Sequence, residues 1–437
     1  MALFNIKTPH KDVDQEISKI SYPLNDPNDL GPLYEKIGKS RLVLLGEASH
    51  GTHEYYTWRS QISKKLITEK DFNFIAVEGD WPDCYRINLY IKEKKDAGGS
   101  AAEVLKNFSR WPTWMWANWE IVALAEWLRD FNRNYDRFPK IGFFGLDVYS
   151  LWDSREAIID YLQKKEPEAL EAAKEAYKCF EPYYDDERAY TRATQLVPVS
   201  CQQEVVELIA QIRKKMEEPP IHDESAFSAR QNALVTVNAE KYYRVMVQSG
   251  AESWNIRDQH MAETLEDLLK FHGPDSKAMV WEHNTHIGDA RATTMSNRGM
   301  ANIGQLVREK YGEENVTLIG FGSYKGSVIA GNGWGEPMKI MQVPPAREGS
   351  WEYILHQISA ENRLIIFDKN AEINRPIDHR AIGVVYHPQQ ERFGNYVPSF
   401  LSKRYDAFIY LDTTQELHPL HLRANSHKTP ETYPFNF

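Results

Sequence analysis

The chain has 437 residues, 42% hydrophobic and 26% charged, which is ordinary globular composition. Its formal charge of -10 argues against nucleic acid and anionic membrane surfaces as main partners. No stretch approaches the roughly 20 apolar residues that span a bilayer, and Met1–His10 lacks the apolar core of a signal peptide, so a cytoplasmic protein is expected.

Residues 1–40 read as a polar lead-in, with a turn at Asp26–Leu30 and a short helix at Leu33–Ile37. The apolar run Leu42–Leu45 then predicts a buried parallel strand, ended by Gly46. Glu47, His50, His53 and Glu54 follow within eight positions, and from Thr52 the pattern is helical. The polar cluster therefore lies at the carboxyl end of a strand, where ligands bind in open α/β sheets. The bland reading is a Gly-Glu turn with Thr52 as a helix cap; the density of titratable groups favours an active site.

The second strand, Phe74–Trp81, repeats the design with Glu78 and Gly79, and Asp80 reads as a helix cap. Four tryptophans fall within nine residues of Arg110–Glu120; some must be core, while Trp111 and Trp114 flank a proline loop and could line a substrate cleft. From Asn118 a helix follows. The third strand, Ile141–Asp147, ends in Gly-x-Asp.

Residues 151–275 carry helical spacing throughout, with breaks at Pro182, Pro198 and Pro219-Pro220. Arg257 and Asp258 read there as an ion pair at a helix start. The cysteines Cys84, Cys179 and Cys201 are widely spaced and predict reduced thiols, with neither a zinc knuckle nor a disulfide framework.

A fourth strand from Lys277 ends in Glu282, His283 and His286, and a fifth spans Val316–Phe321. The glycines from 322 to 335 suggest a mobile loop, and neither GxGxxG nor a Walker pattern supports nucleotide binding. Leu364–Asp368, Ala381–Tyr386 and Ala407–Asp412 read as further strands, with Asn395–Pro398 as a loop. The expected architecture is α/β: a mainly parallel sheet flanked by helices, a three-layer core with a large helical insertion or cap. Residues 1–150 and 276–437 would form the two halves of the core, and 151–275 the insertion.

Glu47, His50, Glu78, His283 and His286 all follow strands. Such a set suits water activation by His50, with a second imidazole donating to a developing oxyanion. Ser49 does not lie in the Gly-x-Ser-x-Gly elbow of a serine hydrolase. Two imidazoles and a carboxylate could instead hold a divalent metal.

Gly46–Tyr56, Ala76–Asp80, Trp114–Glu120, Asn255–Asp258 and Trp281–Ile287 together resemble the erythromycin esterase family, over about residues 40 to 325. The resemblance implies a parallel α/β core with a helical part beside it. It also implies a metal-free hydrolase in which a histidine activates water to open a macrolide lactone. Carried over, that base is His50, supported by Glu47 and Glu78. His283 and His286 match the second histidine pair, and Arg59 matches an arginine on the first helix. Arg257 and Asp258 match a motif of the helical part. With His53 and Trp114, these three are the candidate substrate contacts. The expected partner is a small molecule, with no cofactor. The alternatives are a divalent-metal hydrolase on the same cluster, or a non-enzymatic binder of haem or another small molecule.

Overall fold

The computed structural model describes residues 11–95, 97–135, 138–183, 186–196, 201–215, 223–246, 250–367 and 375–420. The expected breaks at Pro198 and Pro219-Pro220, and Asp368, lie outside them. Eight strands of the main sheet run in the order β1 (Ser21–Pro23), β8 (Arg363–Ile366), β11 (Ala407–Thr414), β6 (Val316–Ala330), β2 (Leu42–Leu45), β5 (Ala278–Trp281), β3 (Phe74–Asp80), β4 (Gly142–Asp147). A ninth, β7 (Lys339–Val343), pairs with the far end of β6. The pairings from β4 to β11 are parallel; β8, β1 and β7 join antiparallel.

The central strands read as apolar runs because helices cover both faces. On one face Val43, Leu45, Ile75 and Val77 pack with Ile62 and Leu66 of the helix His53–Lys70 and Leu124 and Leu128 of Trp119–Asn134. On the other, Leu42, Leu44, Phe74 and Ala76 pack with Met261, Leu265 and Leu268 of Gly250–His272. Leu44 is fully buried, so truncating it to Ala should cost about 2–5 kcal/mol. The helices between 151 and 246 share a separate apolar cluster with Val148 and Tyr149, just past the end of β4, although Phe227 and Val235 of Glu224–Val245 also pack on the sheet. Residues 250–272, expected in the insertion, instead cover the sheet.

Several expectations are corrected. The segment Gly322–Ala330 is not a loop: β6 continues through it, because β11 and β7 pair with it. Residues 381–386 are not a strand. The strand is β9 (Ile377–Arg380), paired with β10 (Tyr396–Ser399), where a loop was expected. Ile382 and Val385 instead make isolated bridges to Ser49 and Gly331, and an apolar run does not distinguish such packing from a ladder. The structure adds the helices Lys11–Lys19 and Trp351–Ile358 and the edge strand β1 to the expected elements. Cys179 and Cys201 are not reduced thiols but a disulfide, with Cα atoms 5.6 Å apart, because the helical layer folds back between them. No helix among the described residues is long and apolar enough to cross a membrane.

Candidate active site

The carboxyl ends of the adjacent strands β2, β5, β3 and β4 converge. After β2, the turn carrying Glu47 and His50 is pressed against its neighbours. A Cβ on Gly46 would lie 2.1 Å from Asn284 Oδ1, and one on Gly51 2.0 Å from the Ile329 carbonyl oxygen. Only glycine permits that approach. Ile382 N donates to Ala48 O, and Ile329 N to Gly51 O, so the C-terminal half lies over the turn.

Within this turn His50 Nδ1 lies 2.9 Å from Glu47 Oε1, and Arg59 Nη2 donates to Glu47 Oε2 at 2.7 Å. Arg59 is fully buried between the rings of Tyr56 and Trp281. A carboxylate can only accept, so Glu47 fixes the His50 proton on Nδ1. His50 Nε2 is buried and has no hydrogen-bond partner among the described residues. The ring packs against His283, with centroids 4.9 Å apart.

The opposite half is built on Glu78 and Arg257. Arg257 donates to both oxygens of Asp147 (2.9 and 2.7 Å), to Glu78 Oε1 (2.7 Å) and to His286 Nε2 (3.0 Å). Guanidinium has no acceptor, so His286 must present its lone pair on Nε2. Its proton is then on Nδ1, donated to Asp258 at 2.9 Å. Trp254 stacks on the same ring at 4.5 Å. Glu78 Oε2 accepts from His283 N at 2.8 Å. Burial alone would raise the Glu78 carboxyl, but His286, Arg257 and His50 with the His283 N–H overcome it and hold it well below the usual carboxylate range.

His283 Nδ1 accepts from Thr285 N at 3.3 Å, which puts the ring proton on Nε2. Burial, reinforced by His50, pushes this imidazole well below its ordinary range, so it stays neutral. Glu282 is the reverse case: burial and the nearby Glu78 and Asp258 push its carboxyl well above the usual range. Neither Glu282 oxygen has a hydrogen-bond partner among the described residues.

Glu47, His50, Glu78, His283 and His286 thus come together in one buried cluster. The candidate substrate contacts lie elsewhere or are already engaged. Arg59, Arg257 and Asp258 are fully buried and bonded within the cluster, where they position other groups. Arg257 and Asp258 do not start a helix as expected; they lie within Gly250–His272, and each pairs across the site rather than with the other. Trp114 is buried core, edge-on to Trp111, which packs in turn on Trp334, so neither lines an open cleft. His53 sits apart, on Glu120. Asp80 stands at its cap position, but its side chain pairs with Arg110 at 2.8 Å instead of capping. The Ser49 hydroxyl is bonded to Thr52. Asp147 and Glu282 are site residues that the sequence reading does not include; the available signal is their place at strand ends, Asp147 closing β4 in Gly-x-Asp and Glu282 just past β5.

The erythromycin esterase family model matches residues 67–414. The chain is 24% identical to an erythromycin esterase type II of Escherichia coli, over 90% of this chain and 94% of that one. A solved succinoglycan biosynthesis protein superposes with a TM-score of 0.75 at 22% identity, covering 94% of this chain and 99% of that one. A mutant of the erythromycin esterase EreC, in its open conformation, superposes with a TM-score of 0.68 at 18% identity, covering 91% and 97%.

Proposed function

The chain belongs to the erythromycin esterase family, and from that premise we propose that it hydrolyses a carboxylic ester or lactone with water activated by His50. The carrying observation is the uncommitted nitrogen. Of the three imidazoles in the cluster, His50 alone combines an Nδ1–H fixed on a carboxylate with an Nε2 that has no partner among the described residues. That is the arrangement of a general base.

In the proposed reaction, Nε2 takes a proton from water as its oxygen bonds to the carbonyl carbon. Glu47, held by Arg59, stabilises the imidazolium. Neutral His283, packed against His50, turns a ring N–H from the Ala48 carbonyl to the developing oxyanion. The carbon–oxygen bond to the leaving alcohol then breaks, and His50 returns the proton to that oxygen. An acid and an alcohol result, or one hydroxy acid from a lactone. Macrolide lactones are the substrate class that the family relationship suggests first.

No step needs a metal. The donor set favours this reading over a metallohydrolase, since Arg257 brings a fixed cation to His286 and both His286 nitrogens are engaged. Because His50 is fully buried, substrate entry requires the segments over its turn to part, namely residues 381–386 and the β6–β7 hairpin. The test is a panel of esters and lactones, macrolides included, on wild type and His50→Ala. Hydrolysis by wild type and its loss in the variant support the reading; no hydrolysis of any member by wild type, or equal rates, would contradict it.

A further inference from the structure

A second cluster of ligating side chains shares no residue with the first. His53 opens the helix His53–Lys70, Glu120 lies in the first turn of Trp119–Asn134, and His418 follows β11. Their ligating atoms all lie within 4.8 Å of one another, the one such group of three among the described residues. His53 Nδ1 is 2.5 Å and His418 Nδ1 2.7 Å from the same oxygen, Glu120 Oε1.

A hydrogen-bonded pair of imidazoles would be better served by one oxygen each. Here both crowd Oε1, while Glu120 Oε2 is buried and has no partner among the described residues. The glutamate is 8% exposed, whereas the His53 and His418 side chains are 32% and 58% exposed, so the group opens to solvent on one side. The backbone around it is fixed. His53 N donates to Gln415 O at 2.9 Å, Leu417 N to Gly51 O at 3.0 Å, Trp119 N to His418 O at 2.9 Å and Leu420 N to Ala117 O at 2.8 Å. His418 is thereby held over both helix starts by main chain on either side of it.

We infer that His53, Glu120 and His418 form a site for a divalent transition metal, zinc by ligand type, that clips residues 415–420 across the starts of these two helices. Two imidazoles and one carboxylate are the donors zinc takes, and three protein ligands leave a fourth position for water. On binding, each Nδ1 gives up its proton and its lone pair goes to the metal. The inference is independent of the hydrolytic reading, since His50 is not a ligand.

The experiment titrates zinc into chelator-treated full-length protein by calorimetry, with Co²⁺ absorption as a second readout. Wild type should bind one equivalent and melt at a higher temperature with zinc than without. Glu120→Gln and His418→Ala should each weaken binding by about tenfold or more and lose the zinc-induced shift, while His50→Ala binds as wild type does. The exposed His418 can be removed without touching the core, so His418→Ala keeps the test open if Glu120→Gln misfolds. Absent saturable binding, binding unchanged in His418→Ala, or binding lost in His50→Ala would each overturn the site.

Discussion

His50 and His286 lie in one buried cluster, and each gives Nδ1 to a carboxylate. They differ at the other nitrogen. His286 Nε2 accepts from Arg257, in a network that also fixes Glu78 and Asp147, while His50 Nε2 accepts from nothing among the described residues. In the half of the site around β3 and β4 the Arg257 and His286 bonds are spent on holding charges in place, while Glu282, just after β5, has no partner among the described residues. The half after β2 leaves one lone pair unspent. A histidine–carboxylate pair therefore does not by itself mark a base; what the far nitrogen does decides it.

The largest expected effects separate the halves. His50→Ala should lower turnover of a hydrolysed ester by about 10²–10⁴-fold with its melting temperature near wild type. His286→Asn should instead show its main loss in stability. Reversed outcomes, read by steady-state kinetics beside thermal melting, would exchange their roles. Next, Arg257→Met leaves Glu78 and Asp147 buried without their cation and should cost about 3–5 kcal/mol in urea unfolding; a cost below about 1 kcal/mol would mean the network is not what holds this half together.

A smaller effect concerns Glu282, whose buried carboxyl has no partner among the described residues. Its folded-state pKa lies above the ordinary 4.5. The folded protein thus holds a proton that the unfolded chain releases, and stability is lost as pH rises above that ordinary value. Glu282→Met should be more stable than wild type at neutral pH, by about 1–3 kcal/mol, with the gap narrowing toward acid. A gap that widens toward acid would show that the carboxyl is not protonated in the fold. Smallest of all, Ser49→Ala should leave turnover near wild type, since the hydroxyl is bonded to Thr52; a loss matching His50→Ala would point to a serine nucleophile.

The strand ends were legible because buried parallel strands are short apolar runs, and the polar residues that break them stand out, as Glu47, Glu78 and His283 do. What holds those residues was not. Arg257 reaches Asp147 across 110 positions and Glu78 across 179, and helical periodicity reports a face, not the strand end it meets. His418 meets Glu120 across 298 positions with no motif to announce it. The β9–β10 pair was misread because Val384 and Val385, though apolar and β-branched, sit in a covering segment outside both sheets.

The most direct test of the central claim is the protonation of the ring nitrogens, followed by long-range ¹⁵N–¹H NMR on selectively labelled protein at about pH 8, above the ordinary imidazole range near 6.5. His50 and His286 should both carry their proton on Nδ1 and His283 on Nε2. Glu47→Gln should disturb the His50 signals and leave those of His286 in place. A His50 protonated on Nε2 under these conditions has no lone pair for water, and would contradict the account.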